Sequence, residues 1–173
     1  MRPIPELKSA QHLLKLGRKD LSDKNVAELQ KLADELGRVQ DEDRHQALFR
    51  QGVIHLYLNN FSEATACFFQ SNQLHPDSSI FSNYLRALSN TKGADLAVEK
   101  GLDYLEKNPN NLEIFKVILS ILCDYKSQKN LDVLKKFITY HVDHIDHKPY
   151  DDLLKDIQER YDFIKQIGLN GDI

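Results

Sequence analysis

Residues 45–78, HQALFRQGVIHLYLNNFSEATACFFQSNQLHPDS, decide the fold of this chain. The stretch holds two apolar segments, over about 45–58 and 61–74, which are separated by Asn59-Asn60 and followed by Pro76. Apolar residues recur along it at three- and four-residue spacing, the period of a helix that buries one face. Proline cannot continue a helix, so Pro76 ends the second segment. The stretch therefore predicts two antiparallel helices joined by a short turn.

The same pattern returns 33 residues further along the chain. The matched positions at this offset are Leu48/Phe81, Gln51/Tyr84, Gly52/Leu85, His55/Leu88, Ala64/Ala97, Phe68/Gly101 and Pro76/Pro109. A fixed period of this length is typical of helical repeats. It predicts two further helix pairs, over 78–90 with 94–107 and over 111–126 with 130–146. Asn60 with Glu63, and Asn110 with Glu113, have the spacing of capping boxes at two of the helix starts.

Helices are also predicted on both sides of the repeats. The first runs over 5–16 and the second over 22–36, where Gly37 can close it. The last runs over 149–167. No alternating run of β-branched residues between turns occurs, so the sequence contains no strand signal. The fold class is therefore predicted to be all-α.

The stretch 45–78 resembles a tetratricopeptide repeat. The resemblance is carried by Leu48, Gly52, Ala64, Phe68 and Pro76. Gly52 and Ala64 would let two helices approach closely, and Phe68 would fill the gap between adjacent pairs. The stretch departs from the family pattern at Gln51 and His55, where a leucine and an aromatic residue are usual. The second copy keeps Ala97 and Pro109 but has Leu85 where glycine is expected, and the third is degenerate.

The resemblance implies a right-handed superhelix of antiparallel helix pairs, an α-solenoid of about nine helices. We expect a single domain over 1–173, with an N-terminal helical cap over 1–44, repeat pairs over 45–146 and a C-terminal capping helix over 147–173. Ankyrin repeats share the 33-residue period, but their Thr-Pro-Leu-His turn is missing here.

Tetratricopeptide repeats bind partners along the groove that is lined by the first helix of each pair. The resemblance places ten residues in that groove: Gln46, Phe49, Val53, Leu56, Tyr57, Asn83, Arg86, Asn90, Lys116 and Ser120. The first half of the set is apolar and the second half polar, which suits a peptide with an apolar anchor and a downstream acid. The alternative is that Phe49 and Val53 are covered by the N-terminal helices and Arg86 is merely solvated. Some family members grip a C-terminal carboxylate, but only Asn83 matches that clamp, so binding of chaperone tails is not expected.

Charge is nearly absent from the first repeat. Over 45–76 the charged residues are Arg50 and Glu63. A helix pair this apolar is buried on several sides or forms an interface. A homodimer through this pair is therefore an alternative to a peptide groove.

Composition narrows the classes of partner and compartment. A formal net charge of −3 leaves no basic footprint for nucleic acid. No continuous stretch of the sequence approaches the roughly 18 apolar residues that a membrane-spanning helix needs, so no membrane insertion is expected. Cys67 and Cys123 lie in apolar stretches, as free thiols of a reducing compartment do, although a disulfide between them is an alternative. We expect a cytoplasmic protein.

The sequence contains one cluster of candidate metal ligands and no recognisable catalytic motif. His141, His144 and His147 recur at three-residue spacing with acids between them, and two such imidazoles could ligate zinc. Histidines also favour the negative end of a helix dipole. We therefore interpret these three as residues at the end of a helix and not as metal ligands. No phosphate loop, nucleophile elbow or dinucleotide motif occurs. We expect no metal, no cofactor and no enzymatic activity.

The sequence thus predicts a non-catalytic protein-interaction module: an adaptor, assembly factor or chaperone. Its partner is predicted to be another protein or a peptide segment. Two alternatives remain open at this point. One is a docking or regulatory repeat domain of a larger enzyme, such as a glycosyl- or sulfotransferase. The other is a homodimerising scaffold.

Overall fold

The computed structural model describes residues 21–40 and 43–124, together with Lys155 and Glu159, which are helical and exposed. Six helices follow one another through the first two ranges, and these ranges contain no strand. The helices are α1 Asp23–Gly37, α2 Arg44–Tyr57, α3 Phe61–Leu74, α4 Ser78–Thr91, α5 Ala94–Lys107 and α6 Leu112–Asp124. The predicted all-α class is confirmed for the described part of the chain.

The observed helices follow the predicted ones closely. The segments predicted over 45–58, 61–74, 78–90, 94–107 and 111–126 correspond to α2 through α6. The helix predicted from Ser22 is α1, and the Ser22 hydroxyl caps it by accepting a hydrogen bond from the Asn25 N–H at 3.3 Å. The helices predicted over 5–16, 130–146 and 149–167 lie outside the described residues. The expected total of about nine helices therefore stays a prediction.

Both predicted capping boxes are wrong. Asn60 precedes α3, but its side chain makes no capping hydrogen bond. Its backbone N–H, which Glu63 would have to take in a capping box, already donates to the His55 carbonyl at 2.8 Å. This closure of α2 depends on Asn59, whose backbone is in the left-handed conformation with a φ of 59°. Asparagine tolerates this conformation better than most residues do.

The start of α6 is shifted by one residue from the predicted cap at Asn110. A turn in which the Asn111 N–H donates to the Asn108 carbonyl at 3.1 Å precedes the helix. The Asn111 side chain, not that of Asn110, then accepts from the Ile114 N–H at 3.1 Å.

The chain divides into two compact units, Met1–Gly93 and Ala94–Ile173. In the first unit α1 packs on α2, α2 on α3, and α3 on α4. In the second unit α5 packs on α6. No helix formed by the described residues combines the length and the apolar character needed to cross a bilayer.

Two clusters of buried side chains hold the first unit together. One joins α1 to α2 through Leu29, Ala33, Leu36, Ala47 and Ile54. The other joins α3 to α4 through Ala64, Phe68 and Ala87, and residues of α2 pack against it. α2 therefore contributes to both clusters, one on each of its opposite sides.

The close approach of α2 and α3 depends on Gly52. A Cβ atom at this position would lie 2.8 Å from Cε1 of Phe68, inside the distance that real contacts show. The Phe68 ring is fully buried and also meets Phe49, with ring centroids 5.8 Å apart. Gly52 therefore permits the close approach of α2 and α3, and the Phe68 ring fills the space beside it.

The second unit is built on an unusually apolar helix. Most of α6 is buried, including Ile114, Phe115, Val117, Ile118 and Leu119. On α5, Ala97, Val98, Gly101 and Leu105 are buried. Burial of this much aliphatic surface stabilises the α5–α6 pair far more than its exposed Lys100–Asp103 ion pair at 3.6 Å.

Candidate functional site

A cavity of about 400 Å³ opens beside the first turns of α2 and α4 in the first unit. It is bounded by both helices and by the turn that leads into α4. Its lining residues are His45, Gln46, Phe49, Arg50, His75, Asp77, Ser79 and Ile80. Phe49 and Ile80 form an apolar floor, and the remaining side chains are polar or charged.

Hydrogen bonds fix the α2 side of this cavity. The guanidinium of Arg44 donates to the carbonyls of Gly37 and Val39, at 3.0 Å each, and so ties the start of α2 to the end of α1. The buried Ser71 hydroxyl of α3 donates to the His45 carbonyl at 2.7 Å. The first turn of α2 is thereby held from two sides, so Gln46 and Phe49 project from a rigid base.

The turn after α3 completes the wall of the cavity. α3 ends at Leu74, and Pro76 directs the chain away from the helix. This turn brings the ring of His75 against that of His45, with centroids 4.8 Å apart and planes inclined by 35°. His75 therefore lies beside α2 although 30 residues separate it from His45 in the sequence.

Asp77 has a structural task on the α4 side. Its Oδ1 accepts hydrogen bonds from the N–H groups of Ser79 and Ile80, at 2.8 and 3.2 Å. Its own N–H donates to the side chain of Asn72 at 3.1 Å. The carboxylate thus caps α4 and lies against the positive end of the helix dipole. The remaining ionisable groups of the cavity, His45, Arg50 and His75, are all basic.

The cavity contains two of the ten predicted groove residues, Gln46 and Phe49. Val53 and Leu56 continue along α2 and pack, half-buried, against the Ala64–Phe68–Ala87 cluster. Tyr57 packs instead against the cluster between α1 and α2. The structure therefore brings Gln46, Phe49, Val53 and Leu56 to one side of α2 but not Tyr57.

The polar half of the predicted groove is more dispersed. On α4, Arg86 and Asn90 are exposed, and the Asn83 and Asn90 amides donate to the carbonyls of Ser79 and Arg86 one turn earlier. None of the three lines the cavity. Lys116 and Ser120 are exposed on α6, in the second unit.

Sequence reasoning missed all three basic residues of the wall. His45 and Arg50 were passed over because the resemblance assigns the groove to other positions of α2. Their spacing to Gln46 and Phe49 could have indicated a shared face. Nothing in the sequence near His75 indicates that the turn returns it to α2.

Titratable groups elsewhere in the first unit have no visible role in the cavity. Burial raises the pKa of the Cys67 thiol to about 11, so this free thiol is protonated and unreactive at neutral pH. Within residues 21–40 and 43–124, no three histidine, cysteine or acidic side chains are grouped to hold a metal ion. The histidines at 141, 144 and 147 lie outside the described residues.

His55 is a buried titratable group whose protonation affects the stability of the fold. It is 6 % exposed, and its Nδ1 atom is buried without a hydrogen-bond partner. Burial lowers the pKa of its imidazole from the ordinary 6.5, and the nearby carboxylates of Glu63 and Asp34 offset part of that effect. The folded protein thus holds a neutral imidazole that the unfolded chain protonates more readily.

We expect this depressed pKa to make the fold sensitive to acid. The stabilisation is fully present above pH 6.5 and is lost as pH falls through the folded-state pKa of His55. His55→Leu, which is apolar and cannot titrate, should flatten this decline between pH 7 and about pH 5. Urea denaturation at a series of pH values measures the free energy of unfolding of the unaltered protein and of the variant. An equal decline in the variant would show that other groups cause it.

Comparisons of the chain with protein-family models, with curated proteins and with solved structures find no match. The tetratricopeptide resemblance therefore stays a prediction from the residues, and the functional argument depends on the cavity.

Proposed function

We propose that this chain is a non-catalytic protein-binding module of the tetratricopeptide type, with its helix pairs arranged as a right-handed superhelix. The cavity beside α2 and α4 is its binding site. The occupant is a segment of another protein that carries an apolar side chain next to a carboxylate. We further propose that it acts in the cytoplasm, which suits the free thiol of Cys67.

The composition of the cavity wall is the observation that carries this proposal. Phe49 and Ile80 provide an apolar floor for an aliphatic or aromatic side chain. Gln46 and Ser79 are exposed at its edge, where they can hydrogen-bond to a peptide backbone. Pockets that recognise peptides combine apolar floors with a few polar groups in this way.

Charge defines the second feature of the occupant. His45, Arg50 and His75 surround the floor, while the acid in the wall, Asp77, is engaged by two backbone N–H groups. With histidines taken as neutral, as in the formal net charge of −3 for the chain, Arg50 is the positively charged residue of this wall. Guanidinium groups form charge-assisted hydrogen bonds with carboxylates, and imidazole N–H groups can add further hydrogen bonds. An acidic residue beside the apolar anchor complements this wall.

Selection from a random peptide library displayed on phage tests the proposal. Peptides recovered on the unaltered protein should pair a large apolar residue with Asp or Glu. Ser79→Arg places a long side chain at the cavity edge, from an exposed position whose backbone makes the capping bond. We expect it to weaken binding about tenfold or more, which is at least about 1.4 kcal/mol.

Ala27→Arg is the matched control, because Ala27 is an exposed residue of α1 and does not line the cavity. It should bind the recovered peptides as the unaltered protein does. Recovery of no peptide, or equal binding by Ser79→Arg, would contradict the proposal.

A further inference from the structure

The exposed face of α3 carries almost no charge. Its exposed residues are Ser62, Glu63, Ala66, Phe69, Gln70, Gln73 and Leu74. Glu63 is the one charged residue of this helix. By contrast, α1 exposes six charged residues, namely Asp23, Lys24, Glu28, Lys31, Asp34 and Glu35. Loss of charge together with gain of aromatic surface distinguishes the centre of a protein interface from ordinary surface.

Two large apolar side chains of α3 face the solvent. Phe69 is 47 % exposed and Leu74 is 59 % exposed. The Phe69 ring lies 5.7 Å from that of Tyr84 on α4, and Tyr84 lies 5.7 Å from Phe81. The exposed ring is thus held in place by its neighbours, so little side-chain entropy remains to be lost when a partner covers it.

The exposed residues of α3 have the spacing of a helix-pairing seam. Ser62, Ala66, Phe69 and Gln73 follow one another at intervals of four, three and four residues. The buried residues Ala64, Cys67, Phe68 and Ser71 occupy the opposite side of the helix. This alternation of three and four is the pattern by which two helices pack along a common line.

The seam is complementary to itself when two copies run antiparallel. In that orientation Phe69 of each copy lies opposite Ala66 of the other, and Ser62 lies opposite Gln73. A ring then packs over a methyl group twice, and the two Glu63 carboxylates are kept at opposite ends. A parallel pair would instead set ring against ring and carboxylate beside carboxylate. We infer that α3 is a self-association surface, on which a second copy of the chain docks antiparallel about a two-fold axis.

This dimer leaves the proposed binding site open. None of the residues that line the cavity belongs to α3. Self-association and peptide binding therefore use different surfaces, and each can fail without the other.

Sedimentation equilibrium over a concentration series up to about 1 mM tests the inference, because a single-helix interface lies at the weak end of specific contacts. The weight-average mass should rise from the 20.0 kDa of one chain toward twice that value. Ala66→Arg sets two arginines against two phenylalanines at the centre and should abolish the rise. Ala27→Arg, an arginine at an exposed alanine of α1, should leave it unchanged.

A charge-swap pair tests the antiparallel register. With Ser62→Glu and Gln73→Lys in one chain, each introduced acid lies opposite an introduced base of the other copy. With Ser62→Glu and Gln73→Glu, like charges oppose one another instead. We expect the first variant to dimerise about fivefold more tightly than the unaltered protein, and the second about fivefold more weakly.

Each outcome decides the inference. A mass that stays at that of one chain throughout, or a dimer that Ala66→Arg leaves intact, would overturn it. So would a similar weakening of the dimer by both charge variants, which would indicate parallel pairing, because each introduced charge then lies opposite its own copy. All substituted positions are exposed, and circular dichroism checks that each variant keeps its helices. If Ala66→Arg fails this check, the charge-swap pair decides alone.

Discussion

We expect Phe68→Ala to lower the free energy of unfolding by about 4 kcal/mol, among the larger effects that one substitution can have. Phe68 is fully buried, its ring lies on Gly52, and it belongs to the cluster that joins α3 to α4. Removal of the ring loses its transfer free energy and leaves a cavity that neighbouring helices cannot close completely. Since small proteins are stable by about 5–15 kcal/mol, much of the stability would be lost.

The adjacent phenylalanine provides the control. Phe69 has the same side chain on the same helix but is 47 % exposed. Phe69→Ala should cost about 1 kcal/mol or less in dilute protein. Urea denaturation followed by circular dichroism compares the two variants. Equal losses would contradict the position of Phe68 as the residue that links successive helices.

Gly52→Ala is expected to destabilise the protein by about 2 kcal/mol, although alanine is the better helix former by about 1 kcal/mol. The new methyl group would lie 2.8 and 2.9 Å from two atoms of the Phe68 ring. The ring is fully buried and cannot move away without displacing its neighbours, so α2 and α3 must separate.

Gly37→Ala is the matched substitution for this prediction. A Cβ atom at Gly37 meets Nε2 of Gln51 at 3.0 Å, and that atom is the end of a flexible side chain. We expect little change or a slight gain in stability from it. The double variant Gly52→Ala/Phe68→Leu should be more stable than the sum of its single changes predicts. A stabilising Gly52→Ala would show that the two helices do not need glycine to approach.

The helix boundaries could be predicted because local chemistry sets them. Ser22 caps α1 through its own hydroxyl, and Pro76 follows the end of α3. Asn60 precedes α3 as predicted, but the capping boxes expected at Asn60 and Asn110 do not form because they depend on the preceding turn. After the left-handed Asn59, the Asn60 N–H already donates to the end of α2. In the turn at Asn108, the Asn111 N–H already donates to the Asn108 carbonyl.

The candidate site could be predicted in part for a similar reason. Gln46 and Phe49 lie on one face of α2, and helical periodicity places them there. His75 joins them only through the direction that the chain takes after α3, which no spacing encodes. Tyr57 shows the converse: it follows Leu56 directly but packs on the opposite cluster, because neighbouring residues of a helix point 100° apart.

A double-mutant cycle between Arg50 and a recovered peptide tests the central claim most directly. Isothermal titration would compare the peptide with its Asp→Asn form on the unaltered protein and on Arg50→Gln. We predict that the amide form binds about tenfold more weakly to the unaltered protein, and that most of this difference disappears on Arg50→Gln. Equal affinity of the acid and amide forms, or the same loss on both proteins, would show that the wall of this cavity does not hold a carboxylate.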